Sequence, residues 1–348
     1  MKSKFKSLLL LLAFSVFVIG AGAQENTRKY SKSWSSSEVE TLEIVNKFGD
    51  VKINNTTGNT VVVEAVVSAE GSSESRTREL LEKITVFFDK TGSKAYAETK
   101  FGADFKGSNK LSINYTVSVP ADKNLIIANK FGNVVVNELN AKGNFNVQYG
   151  NLTANKLNGP GLDGITINLE YGKGDISTLS DAKITASYAN KVYLGKVGTL
   201  NLESKYSGLE IDQVKTLLLS SKYDSFNLGE VSELTGESKY SNFKIKMLQK
   251  KLKLTTGYGS VKAEKVARNF EAIEIVNSFG QISLGIEEGA AYDMNTSCQF
   301  CDISYPKDHF NGNSMEEKFT RTVVGRVGGT PSGRVSITSK YGNIRLVP

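Results

Sequence analysis

The sequence predicts an all-β fold, a parallel β-solenoid that carries a small N-terminal α+β cap. Two observations lead to this prediction. A short phrase, consisting of an aromatic residue, a small residue and then alternating apolar residues, returns through most of the 348 residues. Before each aromatic residue, apolar side chains also occupy every second position, which is typical of a strand with one buried face.

The aromatic residues mark the repeat. From Phe131 onward, successive markers are 17 to 22 residues apart, except for a final interval of 41. The markers are Phe48, Phe131, Tyr149, Tyr171, Tyr188, Tyr206, Tyr223, Tyr240, Tyr258, Phe279, Phe300 and Tyr341. At about 3.3 Å per residue, 17 residues trace roughly 56 Å, which is enough for a closed turn of two or three short strands. This period disfavours a hexapeptide left-handed helix, whereas stacked antiparallel meanders remain an alternative.

The phase of the alternation indicates which side chains face inward. Leu219, Ser221 and Tyr223 occupy every second position, and the same spacing recurs in neighbouring repeats. We therefore expect the rings of Tyr206, Tyr223 and Tyr240 to form one stack buried in the core. The small residue after each ring is expected to fit a corner, where glycine would tolerate a positive φ, although glycine is not obligatory at this position.

The chain divides into four predicted segments. Residues 1–23 are typical of a secretory signal peptide, with lysines at positions 2, 4 and 6, an apolar run from 8 to 19 and a small-residue cleavage pattern. Residues 24–40 are polar and are expected to form a flexible lead. Residues 41–130 hold the first strands and the α+β cap. Residues 131–348 hold the solenoid repeats, with an irregular insertion at about 305–333.

Within the cap, we expect a strand at 61–67 and a helix at 73–84, where apolar residues follow helical spacing. Turn-forming residues at 89–93 lie between two alternating segments and predict a hairpin. A further alternating strand at 111–119 ends before Pro120. A cap of this kind would cover the open end of a stack of strands.

Composition excludes several kinds of chemistry. The chain has one histidine, His309, which argues against histidine-based zinc sites and Ser-His catalytic pairs. The formal net charge is +7, but three of the lysines lie in the predicted signal peptide. The basic balance is therefore weak support for nucleic acid as a partner.

Three segments resemble a known family. The segment Leu42–Val51 resembles the opening of the DUF4097 group of exported bacterial proteins, and Tyr115–Pro120 followed by Asn129–Val134 resembles its second hallmark. Gly328–Gly329 and then Ser339–Ile344 are similar to its close. The resemblance implies a β-solenoid, sometimes called adhesin-like, without an established activity. It therefore supplies no catalytic residue and no cofactor.

Cys298 and Cys301 form a C-x-x-C motif. No second pair is present in the sequence to complete a structural zinc site, and the setting is not the helix start of a thioredoxin-type motif. The repeat places Cys298 in the inward small-residue position and Cys301 in the corner position. Both a disulfide and two structural thiols are compatible with this placement.

A column of lysines is the most informative outward feature. Lys205, Lys222 and Lys239 each precede the aromatic marker in three successive repeats. One interpretation is a solvated surface that neighbouring glutamates neutralise; the other is a binding face for an anionic polymer. If this column binds a ligand, these three residues are the candidate contacts.

Together these features predict an exported, non-enzymatic protein of the periplasm or cell surface, acting as an adhesin-like binding or scaffold protein of the cell envelope. The expected partner is an anionic polysaccharide or an envelope protein. We expect no nucleic acid, no metal, no cofactor, no catalytic residue and no transmembrane segment after signal cleavage. The alternative is a carbohydrate-active enzyme, a polysaccharide lyase or glycoside hydrolase built on a β-helix.

The signal peptide gives the first testable prediction. Because Ala21-Gly22-Ala23 precedes Gln24, the mature chain is expected to begin at Gln24. Mass spectrometry of the protein from its native envelope should show loss of residues 1–23. An intact Met1 in the membrane fraction would contradict this expectation.

Overall fold

A computed structural model describes residues 26–105 and 111–347, and its secondary structure is dominated by strands. The strands join into one large, mostly parallel sheet, so the predicted all-β class is confirmed. The predicted signal peptide lies outside the described residues. Within those residues, no helix has the length and apolar character needed to cross a membrane.

The N-terminal part of the chain, among the described residues, consists of eight strands and one α-helix, which lies between the fourth and fifth strands. In chain order these are β1 (Thr27–Ser35), β2 (Thr41–Lys47), β3 (Val51–Asn55), β4 (Thr60–Ala69), α1 (Glu74–Glu82), β5 (Ile84–Thr91), β6 (Lys94–Phe101), β7 (Leu111–Val119) and β8 (Asn124–Lys130). The predicted helix is therefore present. Its N-cap is Ser73, whose Oγ accepts a hydrogen bond from the Arg76 N–H.

The middle of the chain is a succession of strands. These are β9 (Val134–Leu139), β10 (Gly143–Gln148), β11 (Leu152–Leu157), β12 (Ile165–Glu170), β13 (Lys173–Leu179), β14 (Ala182–Ser187), β15 (Lys191–Lys205), β16 (Gly208–Lys222), β17 (Ser225–Lys239) and β18 (Asn242–Gly257). The last four are long because a strand that follows one marker continues into the strand that precedes the next.

The C-terminal part continues in the same way. Its strands are β19 (Val261–Val266), β20 (Ala272–Ser278), β21 (Ile282–Ile286), β22 (Tyr292–Gln299), β23 (Ile303–Ser304), β24 (Phe310–Glu317), β25 (Thr320–Val327), β26 (Gly333–Lys340) and β27 (Ile344–Val347). Short 3-10 turns occur at Ser36–Glu38 and Lys307–His309.

Parallel pairing arranges these strands in two columns. The first column contains the strands that end at an aromatic marker, such as β8, β10 and β12, and each pairs in parallel with the next. The second column contains the strands that begin after a marker, such as β9 and β11. Each strand therefore lies beside the equivalent strand one repeat away, and antiparallel meanders do not describe the repeat region. We call one first-column strand, its marker and the following second-column strand a rung.

The alternating apolar residues form the core. In the central rungs Leu200, Leu217 and Leu234 lie opposite one another in register, and all three are fully buried. The inward positions of the second column behave in the same way. The core therefore runs along the stack as rows of similar side chains, which is what in-register parallel pairing of a repeated sequence produces.

Strand order departs from chain order at the C-terminal end. Strand β26 lies between β20 and β22, and β27 lies between β21 and β23. The predicted irregular insertion at about 305–333 is instead largely an antiparallel hairpin, β24–β25, whose second strand pairs with β22. The final interval of 41 residues is long because the chain adds this hairpin beyond β22 before returning to insert the last rung.

The predicted flexible lead at 24–40 is also corrected. Strand β1 pairs antiparallel with β4 along its whole length. Trp34 is buried and its ring packs edge-on against Phe88, with centroids 6.3 Å apart. Tyr30 lies on the same side of β1, and its hydroxyl donates a hydrogen bond to the Ile84 carbonyl at 3.1 Å. Two aromatic anchors four residues apart thus order a segment that is otherwise polar.

Glycine follows many of the markers because the backbone of the adjacent rung comes very close. A Cβ built on Gly259 would lie 1.8 Å from the Ser241 carbonyl oxygen, and one on Gly150 would lie 1.9 Å from the Gly132 carbonyl oxygen. Neither glycine has a positive φ. The expectation that these glycines supply a left-handed turn is therefore wrong, and close stacking explains them instead.

This contact predicts a sharp difference between two glycines. Gly259→Ala should lower the free energy of unfolding by roughly 1–3 kcal/mol or more, because relieving the clash requires the backbone to move. Gly257→Ala is the matched control, since a Cβ there meets nothing within 4 Å. Urea unfolding of both variants measures the difference. Equal stability of the two would contradict the close approach.

Candidate binding surface

Every aromatic marker adopts a left-handed backbone conformation. Their φ angles lie between 52° and 65°. These residues are Phe48, Phe131, Tyr149, Tyr171, Tyr188, Tyr206, Tyr223, Tyr240, Tyr258, Phe279, Phe300 and Tyr341. For a bulky L-residue this region costs on the order of 1–2 kcal/mol. The corner of each rung is therefore made at the aromatic residue, at a position where glycine would be free of strain.

The positive φ reverses the predicted burial of the rings. Tyr206, Tyr223 and Tyr240 are 48%, 47% and 44% exposed, so the expectation of a buried stack is wrong. The strand ends one residue before the ring, and the left-handed turn breaks the alternation and rotates the ring outward. The small polar residue two positions earlier keeps the strand phase, and it is buried as expected, for example Ser221 at 4% exposed.

The rings nevertheless stack on one another. Adjacent centroids are 4.6 to 5.3 Å apart, and adjacent planes differ by at most 23°. We call this row of twelve rings the aromatic ladder. Tyr341 lies between Phe279 and Phe300, as the insertion of β26 requires. At one end Phe48 meets Phe101 edge-on, and at the other Phe300 stacks on Phe319.

Stacking determines which part of each ring faces the solvent. Because each inner ring has a neighbour on both sides, its faces are covered and its edge is exposed. An aromatic ring carries negative charge on its face and positive charge at its edge. The ladder therefore presents positive ring edges and, from Tyr149 to Tyr258, phenolic hydroxyls. Partial desolvation in the stack, together with the neighbouring Tyr149 and Tyr188, raises the pKa of Tyr171 above the ordinary value for tyrosine.

The lysine column runs beside the ladder. Lys205 lies directly opposite Lys222, which lies opposite Lys239, and all three are exposed. None of the salt bridges among the described residues involves these three lysines. The sequence also allowed Glu203 and Glu237 to neutralise these lysines. Among the described residues, neither glutamate forms a direct salt bridge with them.

Other lysines at the same step of the rung behave differently. The ammonium of Lys47 lies 4.8 Å from the Phe48 ring centroid, that of Lys130 lies 5.3 Å from Phe131, and that of Lys340 lies 5.3 Å from Tyr341. Contacts of this type are weakly attractive at an exposed site. The three lysines of the central column make no such contact within the described chain, so they are the ones left open to a ligand.

A buried polar network lies beneath the central ladder, and sequence reasoning missed it. The Asp224 carboxylate accepts hydrogen bonds from the Ser204 hydroxyl and the Ser207 N–H, both at 2.7 Å. The Ser241 hydroxyl accepts a bond from the Asp224 N–H at 3.1 Å. Burial raises the pKa of Asp224, although these bonds act in the opposite direction. The sequence signal for this network is Asp224 itself, an acidic residue in the corner position where other rungs carry small residues.

The two cysteines are joined in a disulfide. Cys298 is fully buried in the inward position and Cys301 is half-buried at the corner, as the repeat register suggested. Among the described residues, no group of three or more His, Cys, Asp and Glu side chains could hold a metal ion. His309 is exposed in the 3-10 turn before β24.

No protein-family model and no curated protein matches the chain. Solved structures of candidate adhesins from Parabacteroides distasonis and Bacteroides fragilis are each 11% identical, with a TM-score of 0.29, covering 92% of this chain and 97% of theirs. A candidate cell adhesion protein from Clostridium sporogenes is 8% identical with a TM-score of 0.21, covering 92% and 98%. Such scores support no functional conclusion, and the resemblance to the DUF4097 group stays a prediction.

The left-handed corner predicts an unusual ranking of substitutions at Tyr223. Tyr223→Ala should cost roughly 1–3 kcal/mol of unfolding free energy, because it removes two stacking contacts. A fully buried ring would cost about 3–5 kcal/mol. Tyr223→Gly should be more stable than Tyr223→Ala by about 1 kcal/mol, because glycine adopts the positive φ without strain. Chemical denaturation measures both, and a glycine variant weaker than the alanine variant would refute the strained corner.

Asp224 predicts a pH dependence. Its pKa is raised above the ordinary 3.8, so the folded state binds the proton more tightly than the unfolded state. The free energy of unfolding therefore falls as pH rises from 3.8 through the raised pKa. In Asp224→Asn, the amide oxygen can accept from the Ser207 N–H while the amide N–H donates to the Ser204 hydroxyl, and the buried charge is removed. The stability of this variant relative to the parent should therefore be greater at pH 7 than at pH 3. Urea unfolding midpoints of both proteins at several pH values test this expectation. It would be contradicted if the parent became more stable relative to Asp224→Asn as the pH rises.

Proposed function

We propose that this protein is an exported, non-enzymatic β-solenoid that acts as an adhesin-like binding or scaffold protein of the cell envelope, with an anionic polymer as its ligand. The single observation that carries the proposal is the exposed lysine column on a regular sheet. Lys205, Lys222 and Lys239 lie in register on adjacent strands, and none of them forms a salt bridge with a described carboxylate.

The solenoid part of the proposal is supported by the pairing register. Strands β15, β16 and β17 pair in parallel over almost their full length, with an offset of 17 residues between partners. Each of these strands contributes to both columns, so the chain circles back onto itself once per rung. An offset equal to the sequence repeat is what a coil of stacked rungs requires.

The ligand is argued from electrostatics. Neighbouring parallel strands lie about 4.8 Å apart, and two like charges at about that distance repel by roughly 1 kcal/mol even in water. The repulsion recurs along the column of Lys205, Lys222 and Lys239 and is not offset by direct ion pairs. A linear polyanion lying along the column would relieve it at every rung. A binding surface of this kind needs a rigid support, which the hydrogen-bonded sheet provides.

The location and the domain division are also part of the proposal. The signal-like residues 1–23 favour export, and a disulfide is the form that cysteines adopt in an oxidising compartment. We propose that 41–130 is a cap and 131–348 is the repeat unit that displays the binding surface. The periplasm and the cell surface both fit these features.

The proposal predicts the effect of removing the column. Replacing Lys205, Lys222 and Lys239 together by Gln should abolish binding of the mature protein to dextran sulfate or polygalacturonate, measured by calorimetry or retention on an immobilised polymer. Stability should change by no more than about 1 kcal/mol, since solvent-facing substitutions usually have small effects. Binding by the parent should weaken strongly between low and physiological salt, because exposed charges are screened over about 8 Å at 0.15 M.

A matched control separates position from net charge. Lys196, Lys215 and Lys246 are exposed, form no salt bridge among the described residues and occupy other positions of the repeat than the lysine column. Their triple replacement by Gln removes the same charge and should leave most of the binding intact. Equal loss in the two triple variants would show that only overall charge matters, and release of reducing ends or unsaturated products from the polymer would favour an enzyme.

A further inference from the structure

We propose that three tyrosines of the aromatic ladder, Tyr206, Tyr223 and Tyr240, form the second half of the anion-binding surface. The hydroxyls and ring edges of Tyr206, Tyr223 and Tyr240 would act with the adjacent lysine column to hold one linear polysaccharide that bears carboxylate or sulfate groups. This inference rests on the proposed function, and it adds residues and a ligand orientation to it.

The first support is the strain in the ladder. Twelve bulky residues adopt a left-handed conformation that glycine would adopt without cost. Stacking offsets part of this cost, but fully inward rings would have gained burial as well, whereas Tyr206, Tyr223 and Tyr240 are close to half exposed. The corner thus places large side chains on the outside, where a ligand can reach them. Strained residues kept at a surface are a reason to look for a function there.

The second support is the chemistry that the stack exposes. A neutral sugar usually packs against a free ring face, but the ring spacings of 4.9 Å and 4.8 Å from Tyr206 to Tyr240 leave no room between faces. What remains outward is the positive edge of each ring and an O–H donor. Both favour an anionic group over a neutral one. A hydrogen bond from a hydroxyl to a charged oxygen is also stronger than one to a neutral oxygen.

The third support is coincidence with the lysines. In the three rungs of Tyr206, Tyr223 and Tyr240, the residue before the ring is a lysine without an ion pair or ring contact among the described residues. In the three preceding rungs, the equivalent residues are Gln148, Glu170 and Ser187, although the ring is again a tyrosine. Tyrosine hydroxyls extend over more rungs of the ladder than the lysine column does. The proposed site is the set of three rungs in which a tyrosine hydroxyl and a lysine occur together.

Covered ring faces also distinguish polysaccharide from nucleic acid. Proteins that hold single-stranded nucleic acid stack its bases on free aromatic faces. Within the ladder from Tyr149 to Tyr258, each ring is already stacked on both sides. A polyanion without aromatic bases therefore fits this surface better. Because donors repeat once per rung, the polymer would run along the ladder and across the strands.

The test removes only hydroxyl groups. The variant Tyr206→Phe/Tyr223→Phe/Tyr240→Phe keeps the stack and the lysines, and it should weaken binding to dextran sulfate and polygalacturonate by at least about fivefold, the loss expected when hydrogen bonds to charged groups are removed. The matched control Tyr149→Phe/Tyr171→Phe/Tyr188→Phe makes the same change in the same ladder beside Gln148, Glu170 and Ser187, and it should bind as the parent does. Bound polymer should also protect Tyr206, Tyr223 and Tyr240 from nitration by tetranitromethane more than it protects the control tyrosines.

The outcomes distinguish this inference from the proposed function. The Tyr206/Tyr223/Tyr240 variant could bind the polymer as the parent does while the triple lysine variant loses binding. That result would overturn the role of the ladder and would leave the proposed role of the lysine column standing. Equal loss in both tyrosine variants would overturn the assignment to the three central rungs. Tighter binding of oligo-dT than of either polysaccharide would overturn the choice of ligand. Failure of the parent to bind any of these polymers would overturn the proposed function itself.

Discussion

In-register parallel hydrogen bonding between successive rungs is the constraint on which the rest of the structure depends. It places each residue beside its equivalent one repeat away, so that Leu217 meets Leu200 and Leu234, and Lys222 meets Lys205 and Lys239. A favourable contact between like side chains is therefore multiplied along the stack, and so is an unfavourable one. Apolar and aromatic residues gain from this multiplication, whereas charged residues do not.

The corner shows how strongly this constraint acts. Where two backbones come so close that no Cβ fits, as between Gly259 and Ser241, the sequence has glycine even though φ is ordinary. Where φ is positive, the sequence has an aromatic residue, because a ring that stacks on the rings above and below recovers energy that a glycine could not. Each residue type is thus chosen for its contact with the neighbouring rung and not for its own backbone preference.

The same contrast explains what the sequence could and could not predict. Period-2 alternation is a local property, so the strands and the inward position of Ser221 could be read directly. The interval between markers favoured a parallel stack but left antiparallel meanders open. The direction of the Tyr223 ring could not, because a single left-handed residue shifts the phase without leaving a signal in the pattern of apolar residues. Glycine beside the ring pointed to the wrong residue as the one with positive φ.

Long-range pairing was a second source of error. The segment Thr27–Ser35 is polar enough to be taken for a flexible lead, and only its pairing with β4 and the packing of Trp34 against Phe88 make it a strand. Likewise, the interval of 41 residues before Tyr341 revealed an interruption, but not that β26 would insert between β20 and β22. Both features depend on partners far away in the chain. In the candidate site, the lysine column was visible because its members share one position of the repeat, whereas the exposure of the ladder depended on φ.

The buried side and the solvent side of the corner carry charge differently, because the protein interior screens charges poorly and water screens them well. Inside, the neighbouring rungs carry Ser207 and Ser241 in the position of Asp224, so no described carboxylate follows it in the stack. The Ser204 hydroxyl and the Ser207 N–H donate to its carboxylate. Repeating that carboxylate on adjacent rungs would place like charges about 4.8 Å apart in a medium that screens poorly. Outside, Lys205, Lys222 and Lys239 can follow one another because water and salt reduce their repulsion. A row of like charges is therefore tolerable on the surface alone, and it is on the surface that a periodic anion could make it favourable.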